Sequence, residues 1–359
     1  MRKATPILVF LFVLLCGFFS PIHAQSAGVE WDALQKEAQE LCNSGKYDRA
    51  LLVAQKALQV AEQRVGPNHL DVSTTLFILG RIYDNLGDFT SAEPLYKRAL
   101  AIREKVLGPN DTLMAALLNI LGNLYKRRGD YDSAEALYKR ALAIAEKAKG
   151  SDNTLVATYL NNLSILYQNR GDYDSAEPLL KRALAAREKV LGPEHPDVAV
   201  SLFGLGTLYQ IRGDYDSAEA LYKRALAIMK KVKGPDHPDV AVSLFGLGTL
   251  YQIRGDYASA EPLLKRALAI YEKAKGPDHA DVAVSLLGLG DLYKKRGDYD
   301  SAEPLLKRAL AIYEKILGPD HPNVATCLEN LASLYRATKR IPEANALEKR
   351  AARIRAIER

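Results

Sequence analysis

The sequence lacks the motifs of the common enzyme classes. It has no glycine-rich phosphate loop, no Gly-x-Ser-x-Gly nucleophile motif and no cysteine and histidine set at zinc-binding spacing. No segment outside the repeats described below is large enough for a catalytic domain. We therefore expect a protein that is not an enzyme, with no cofactor, no catalytic residue and no metal site.

Cysteine and excess charge are also scarce. The chain has 3 cysteines in 359 residues and a formal net charge of +6, which falls to +4 if residues 1–24 are removed. A charge this small does not indicate a nucleic-acid partner. Leu15 precedes Cys16 where a bacterial lipoprotein signal normally has a small residue, so we expect no lipid there.

Only the N-terminus has a long apolar run. Arg2 and Lys3 precede apolar residues 7–19, and Ala24 follows at a suitable cleavage site. The run is shorter than the roughly 20 residues of a membrane-spanning helix. Residues 1–24 are therefore predicted to be a secretory signal peptide, and the protein to be exported to the periplasm or the extracellular space. The alternative is an uncleaved membrane anchor at residues 7–19, the one case in which we expect membrane association.

What the sequence does contain is a strict repeat. A Gly-Asp-Tyr or Gly-Asp-Phe motif recurs every 42 residues. A fixed period of this size predicts units that pack on their neighbours. We therefore expect an all-α fold, a right-handed α-solenoid of about eight antiparallel helix pairs. The motif glycines are Gly87, Gly129, Gly171, Gly213, Gly255 and Gly297.

The repeat extends over one predicted domain, residues 25–359. Cys42 and Cys327 lie in its first and last units, so in a linear array they should be too far apart for a disulfide. Residues 195–215 and 237–257 are identical, which indicates duplication. The predicted units are residues 29–70, 71–112, 113–154, 155–196, 197–238, 239–280, 281–322 and 323–359.

Each unit reads as two helices, A and B. Gly213 is placed to end helix A in the left-handed conformation. Asp216 and Glu219 then have the spacing of a capping box, which predicts the start of helix B. Asp197 and Asp239 are predicted N-caps of helix A. Four prolines are expected in the first turn of helix B, where the amides have no helical partner: Pro94, Pro178, Pro262 and Pro304.

The pattern Leu202-x-x-Leu205-Gly206-x-x-Tyr209, followed by Ala218, Tyr222 and Ala225, resembles the tetratricopeptide repeat (TPR). The usual TPR period is about 34 residues, and the longer unit here looks like the kinesin light chain subtype. This resemblance implies a TPR-like superhelix that binds a peptide or partner protein. It does not imply motor activity in a chain with a secretory signal.

The repeated polar residues have simpler explanations than binding. A glutamate stands four residues before each lysine of the Lys-Arg pairs on helix B, which favours a self-neutralised face over a basic binding stripe. Histidines recur once per unit in the inter-repeat loops, so they are expected to have loop or capping roles and not to bind metal. They are His69, His195, His237, His279 and His321.

The resemblance implies that the other face of helix A forms a concave groove that holds extended peptides. In the third unit the predicted groove residues are Asn119, Asn123, Lys126 and Arg127, and in the fourth they are Thr158, Asn161, Ile165, Gln168 and Asn169. Asparagine suits peptide backbone, because its amide both donates and accepts.

The next units are more apolar. Their predicted groove residues are Val200, Phe203, Thr207, Gln210 and Ile211, then Val242, Phe245, Thr249, Gln252 and Ile253, and finally the polar Lys294 and Lys295. Exposed apolar residues between polar ones are typical of a protein-binding patch. The alternative is that these side chains pack against neighbouring A helices.

The sequence thus favours a protein-interaction scaffold that binds an unidentified protein or peptide. A second possibility is a self-assembly or envelope-attachment module that binds anionic surfaces through the helix B basic stripe. No motif in the sequence identifies the partner.

Overall fold

A computed structural model describes residues 27–149 and 153–357, which contain 16 α-helices and no strand. The chain divides into two compact units, Met1–Gly150 and Ser151–Arg359. The predicted signal peptide lies outside the described residues, and the single array over residues 25–359 stays a prediction.

The helices alternate between a shorter helix A and a longer helix B. The first unit contains α1 Val29–Asn43, α2 Tyr47–Val65, α3 Leu70–Asn85, α4 Phe89–Leu107, α5 Thr112–Arg127 and α6 Tyr131–Lys149. The second contains α7 Thr154–Asn169, α8 Tyr173–Leu191, α9 Pro196–Ile211, α10 Tyr215–Lys233, α11 Pro238–Ile253, α12 Tyr257–Lys275, α13 Ala280–Arg296, α14 Tyr299–Leu317, α15 Pro322–Ala337 and α16 Ile341–Ile357. These eight helix pairs confirm the predicted α-solenoid class.

The glycine of the repeated motif ends helix A as predicted. Gly213 has a φ of +81°, a conformation that costs other residues strain. The amide of Asp214 donates to the carbonyl of Tyr209 at 2.9 Å and closes the helix end. Helix B starts two residues earlier than predicted, because the side chain of Asp214, not Asp216, accepts from the amide of Ser217 at 3.2 Å.

Histidine caps helix A, so the prediction of aspartate caps was wrong. Nδ1 of His195 accepts from the amide of Asp197 at 3.1 Å, and Nδ1 of His237 accepts from the amide of Asp239 at 3.2 Å. Each aspartate therefore supplies the backbone amide that donates the hydrogen bond, and the histidine before it is the cap. The histidine occupies the extended residue before the helix, where its ring nitrogen reaches an amide that has no helical partner.

The helix B prolines lie deeper than expected. Pro262 is the sixth residue of α12, which starts at Tyr257. The earlier start moves the proline out of the first turn, where a missing amide is harmless. The first-turn prediction was therefore wrong, and the carbonyl four residues before each of these prolines has no helical donor.

Small residues bring the two helices of a pair together. Ala218 and Ala225 of α10 are fully buried, and Tyr222 between them is 2% exposed. A Cβ on Gly206 of α9 would come within 2.9 Å of the Tyr222 ring, so only glycine allows this approach. The predicted motif residues therefore form the core of each repeat.

Within the second unit, a glutamate on helix B joins one repeat to the next. Glu219 of α10 accepts from the hydroxyl of Tyr251 at 2.8 Å and from the guanidinium of Arg254 at 2.8 Å, both near the end of α11. Lys223 pairs with the same carboxylate at 2.6 Å. The hydrogen bonds from Lys223 and then Tyr251 lower the pKa of Glu219. The helix B lysine is thus neutralised as predicted, and its glutamate also holds the neighbouring repeat.

Candidate functional site

In the first unit, the predicted site residues of α5 are engaged in contacts within that unit. Oδ1 of Asn123 accepts from the hydroxyl of Tyr138 at 2.6 Å. Arg127 pairs with Asp84 and lies over the Phe89 ring at 4.9 Å. Lys126 is half-buried, and this burial lowers its pKa. Asn119 is also half-buried.

In the second unit, α7 contributes the amide-rich set. Thr158, Asn161, Ile165 and Gln168 are half-buried, and Asn169 is exposed. The hydroxyl of Thr158 donates to the carbonyl of Thr154 at 2.9 Å, a bond within the helix that leaves the hydroxyl oxygen able to accept. These side chains therefore form a partly accessible polar surface.

The aliphatic residues of α9 and α11 are the most exposed part of the predicted site. Val200 is 48% exposed and Ile211 is 49% exposed, and their equivalents Val242 and Ile253 are 42% and 47% exposed. Exposed aliphatic side chains of this size are common singly but are notable when they repeat on one helix face. Val284 of α13, at 41% exposed, continues the series.

The two phenylalanines are packed against neighbouring A helices. A Cβ on Gly246 of α11 would lie 2.5 Å from the ring of Phe203, and a Cβ on Gly288 of α13 would lie 2.7 Å from the ring of Phe245. The Phe203 ring also packs on Tyr222 of α10, with ring centroids 5.0 Å apart. The packing alternative thus describes both rings, which are half-buried.

The polar side chains of α9 and α11 make different hydrogen bonds, although the two helices have the same sequence. Thr207 lies 3.1 Å from the hydroxyl of Tyr222, which also donates to Gln210 at 3.1 Å. Gln252, by contrast, is only 6% exposed and donates to Asp291 of α13 at 2.7 Å. The hydroxyl of Thr249 donates to the carbonyl of Gly246 within α11 at 2.9 Å.

The two predicted lysines of α13 share one carboxylate. Lys294 and Lys295 lie 3.1 and 3.0 Å from Asp291. Burial opposes ionisation of Asp291, but the hydrogen bonds from Lys295 and Lys294 outweigh it and lower its pKa. Lys294 also donates to Asn330 of α15 at 3.0 Å. The end of α13 is therefore a compensated polar cluster.

A pocket of about 280 Å³ opens between the start of α9, the end of α10 and the start of α11. Its apolar wall includes Val200, Phe203 and Val242 of the predicted set. Two further lining residues come from helix B: Met229, which is 6% exposed, and Lys233. Asp197 and Asp239 add two carboxylates to the lining. The volume is close to the lower limit of small-molecule sites and suits a single side chain.

Sequence reasoning missed Met229 and Lys233 because it considered only helix A. A signal was present: this helix B position varies between repeats, with Arg187 before Met229 and Tyr271 and Tyr313 after it. An unbranched, flexible side chain is suited to an adaptable binding surface.

Within residues 27–149 and 153–357, no group of three or more histidine, cysteine, aspartate or glutamate residues is arranged to hold a metal ion. No helix in the same ranges combines the length and the apolar character that crossing a membrane requires.

The helix lengths, the closing glycine and the small residues of the helix interface coincide with a known family pattern. The TPR sequence profile matches residues 38–105, 112–189, 155–231, 205–273, 246–315 and 281–356. The chain belongs to the tetratricopeptide repeat family. TPR arrays serve as protein-interaction scaffolds that bind proteins or peptides, and this coarse function applies to the present chain.

Solved structures with the same fold include TPR proteins of several kinds. BtubC (BKLC) from P. vanneervenii is 28% identical, with a TM-score of 0.54 over 67% of this chain and 92% of that one. A TPR protein from Parabacteroides merdae is 23% identical (TM-score 0.52, 79% and 93% covered), and a Rap protein in complex with competence and sporulation factor is 16% identical (TM-score 0.55, 91% and 98% covered). Kinesin-light-chain-like repeat proteins are also among the neighbours. A comparison with curated proteins finds no match.

Proposed function

We propose that the A helices of the second unit bind an extended segment of a partner protein, and that the pocket between α9 and α11 holds one of its large apolar side chains. The observation that carries this proposal is the pocket itself. Exposed Val200 and Val242 line it together with half-buried Phe203 and buried Met229. Burial of one leucine-sized or aromatic side chain contributes about 1.5–3 kcal/mol.

The surroundings of the pocket suit a peptide. The amide-rich face of α7 lies in the same unit, and asparagine and glutamine side chains pair well with backbone groups that have no strand partner. The charged lining residues Asp197, Asp239 and Lys233 can orient polar groups beside the bound side chain. Extended peptides commonly combine backbone hydrogen bonds with one or two side-chain pockets.

The alternative function, binding of anionic surfaces by the helix B lysines and arginines, is less well supported. These cations already have carboxylate partners, as in the Lys223–Glu219 pair at 2.6 Å and the Arg224–Glu188 pair at 2.6 Å. An anionic polymer or lipid would have to compete with a carboxylate for each of them. The pairing therefore favours binding on helix A.

The proposal is tested by selecting peptides from a phage-displayed random library on the purified protein and on the double variant Val200→Glu with Val242→Glu. These valines are exposed, so the substitutions should leave the fold intact, unlike changes at the packed phenylalanines. We expect peptides with a large apolar side chain to be enriched by the native protein and to bind the double variant at least about tenfold more weakly.

A matched control is the double variant Val190→Glu with Ile316→Glu. These residues are 47% and 40% exposed on helices α8 and α14, and they lie outside the pocket lining. This variant should retain the selected peptides. Equal loss in both variants, or no loss in either, would contradict a role for the pocket.

We also propose that residues 1–24 direct export and are removed. The supporting observation is the basic, apolar and small-residue order of the N-terminus. N-terminal sequencing of the protein from cell fractions should find Gln25 as the first residue. An intact N-terminus in the membrane fraction would favour the anchor at residues 7–19 instead.

A further inference from the structure

An ion pair between consecutive B helices recurs in both units. A glutamate near the end of one helix B lies 2.6 Å from an arginine of the next helix B. The pairs are Glu62–Arg98, Glu104–Arg140, Glu188–Arg224, Glu272–Arg308 and Glu314–Arg350. Each of these arginines therefore has a carboxylate of its own on the preceding helix B.

The junction between α10 and α12 lacks this glutamate. Lys230 of α10 takes its position, so the residue that otherwise pairs with the arginine carries the same charge as the arginine, Arg266 of α12. The residues three and four positions from Lys230 along the chain have no carboxylate either. Among the residues that the structure describes, the Lys230 side chain has no ion pair and no hydrogen bond.

Arg266 pairs with a loop carboxylate instead, that of Asp236. Lys273 of α12 donates to the same carboxylate at 3.2 Å. The hydrogen bond from Lys273 and the charge of Arg266 lower the pKa of Asp236. The equivalent loop carboxylates of the neighbouring repeats each lie 2.5 Å from a lysine, in the pairs Glu194–Lys231 and Asp278–Lys315.

Three cations thus share one carboxylate at this junction, and all three are accessible. The side chains of Arg266 and Lys273 are 51% and 75% exposed, and Lys230 is exposed as well. We call Lys230, Arg266 and Lys273 the α10–α12 basic patch. None of the three lines the pocket between α9 and α11. A local excess of exposed positive charge attracts anionic groups from solution.

We propose that the α10–α12 basic patch binds a short acidic segment of a protein, with carboxylates on neighbouring residues. Arginine offers a carboxylate two parallel donors, and lysine adds a mobile point charge. The junctions on either side favour a short segment over an extended anionic lipid surface, because their arginines are already paired, in Glu188–Arg224 and Glu272–Arg308. This surface lies on the B helices and is additional to the proposed peptide site on helix A.

The first test is a fluorescence anisotropy titration of the purified protein with fluorescein-labelled tetraglutamate amide. The matched neutral probe is fluorescein-labelled tetraglutamine amide. We expect saturable binding of tetraglutamate that weakens as the salt concentration rises, and no binding of tetraglutamine. Equal binding of the two probes, or no binding of tetraglutamate, overturns the proposal.

Lys230→Glu separates binding from a structural role. The substitution restores the glutamate of the other junctions, so the protein should fold with an unchanged or higher melting temperature. It should bind tetraglutamate at least about tenfold more weakly, and Lys230→Gln should be intermediate, because attraction at the patch is replaced first by neutrality and then by repulsion. Unchanged affinity in both variants overturns the assignment.

The control for net charge is Lys349→Glu. Lys349 is an exposed residue of α16, outside the patch, and the substitution changes the charge of the chain by the same amount. This variant should retain tetraglutamate binding. Equal weakening in Lys349→Glu and Lys230→Glu would show a response to net charge alone and overturn the proposed site.

Two further measurements fix the kind of partner. Vesicles of equal parts phosphatidylserine and phosphatidylcholine should not sediment the protein. Sedimentation that is lost in Lys230→Glu, without binding of tetraglutamate, would assign the patch to a lipid surface and overturn the acidic segment. Lys230→Glu should retain the library peptides whose binding depends on Val200 and Val242, so this proposal and the proposed function can fail separately.

Discussion

Helices α9 and α11 have the same 16-residue sequence but different surroundings. Beside α9 stands Met229, and the pocket opens there. Beside α11 stands Tyr271, whose larger ring is 7% exposed, with Lys275 over it at 5.6 Å. Lys275 also pairs with Asp281 at 2.5 Å. Identical A helices can therefore have different surface pockets, because helix B and the next helix A decide what space remains between them.

Glycine positions in the two helices give the largest expected contrast. Gly246→Ala should lower the free energy of unfolding by about 2 kcal/mol, because its Cβ would lie 2.5 Å from the Phe203 ring. Gly204→Ala, at the same position of α9, meets only ordinary contacts at 3.7 Å. It should be neutral or stabilising by up to about 1 kcal/mol. Urea denaturation measures both, and equal effects would show that the two helices pack alike.

Exchange of the helix B residue should remove the binding difference. Met229→Tyr is expected to weaken binding of library-selected peptides about tenfold, or about 1.4 kcal/mol, because the ring takes the room that methionine leaves. The fold should persist, since tyrosine is already accommodated beside the identical α11. Fluorescence titration and circular dichroism provide the two measurements. Met229→Leu, of similar volume, is the control that should retain binding. Unchanged affinity in Met229→Tyr would show that the pocket does not contribute to peptide binding.

The reverse exchange should create a second site. Tyr271→Met is expected to lower the free energy of unfolding by about 1 kcal/mol through lost packing, while opening space beside Val242 and Val284. Isothermal titration with a selected peptide should then give a stoichiometry above that of the native protein. A loss of stability without any added binding would mean that the helix A surface alone does not make a site.

The glutamate junctions should be the same in both regions. The hydrogen bonds from the lysine and then the tyrosine lower the pKa of Glu219 and of Glu261 from the ordinary 4.5. Each depressed pKa adds stability that is fully present above pH 4.5 and is lost as pH falls through the lowered value. Glu219→Gln and Glu261→Gln should each cost about 0.5 kcal/mol at neutral pH and less in acid. If urea denaturation gave unequal losses of stability for the two variants, the two regions would differ at these junctions as well.

The fold could be predicted largely because it depends on local residue types at a constant period. Gly213 must adopt a positive φ to end a helix, and this requirement is visible in the sequence. The error at the start of helix B came from a competing choice between Asp214 and Asp216, both of which can cap. The loop or capping role predicted for His195 is confirmed, since it caps helix A. The choice between the ring nitrogen of His195 and the carboxylate of Asp197 as the acceptor depends on geometry that residue type alone does not indicate.

The candidate site was less accessible to sequence reasoning because it depends on contacts between repeats. The ring of Phe203 packs where Gly246 leaves room, although these residues are 43 positions apart. The periodic pattern placed both on helix A but could not show which of them face each other.

The junction glutamate has a consequence for how this chain can change over generations. Within the second unit its acceptor lies on helix B and its donors lie at the end of the following helix A, as in Glu177 with Tyr209 and Glu261 with Tyr293. A gene duplication of one whole repeat therefore brings a compatible interface with it, and the identical segments 195–215 and 237–257 are what such an event leaves. The new copy can then diverge at a single helix B position, as Met229 and Tyr271 do, while the fold is kept.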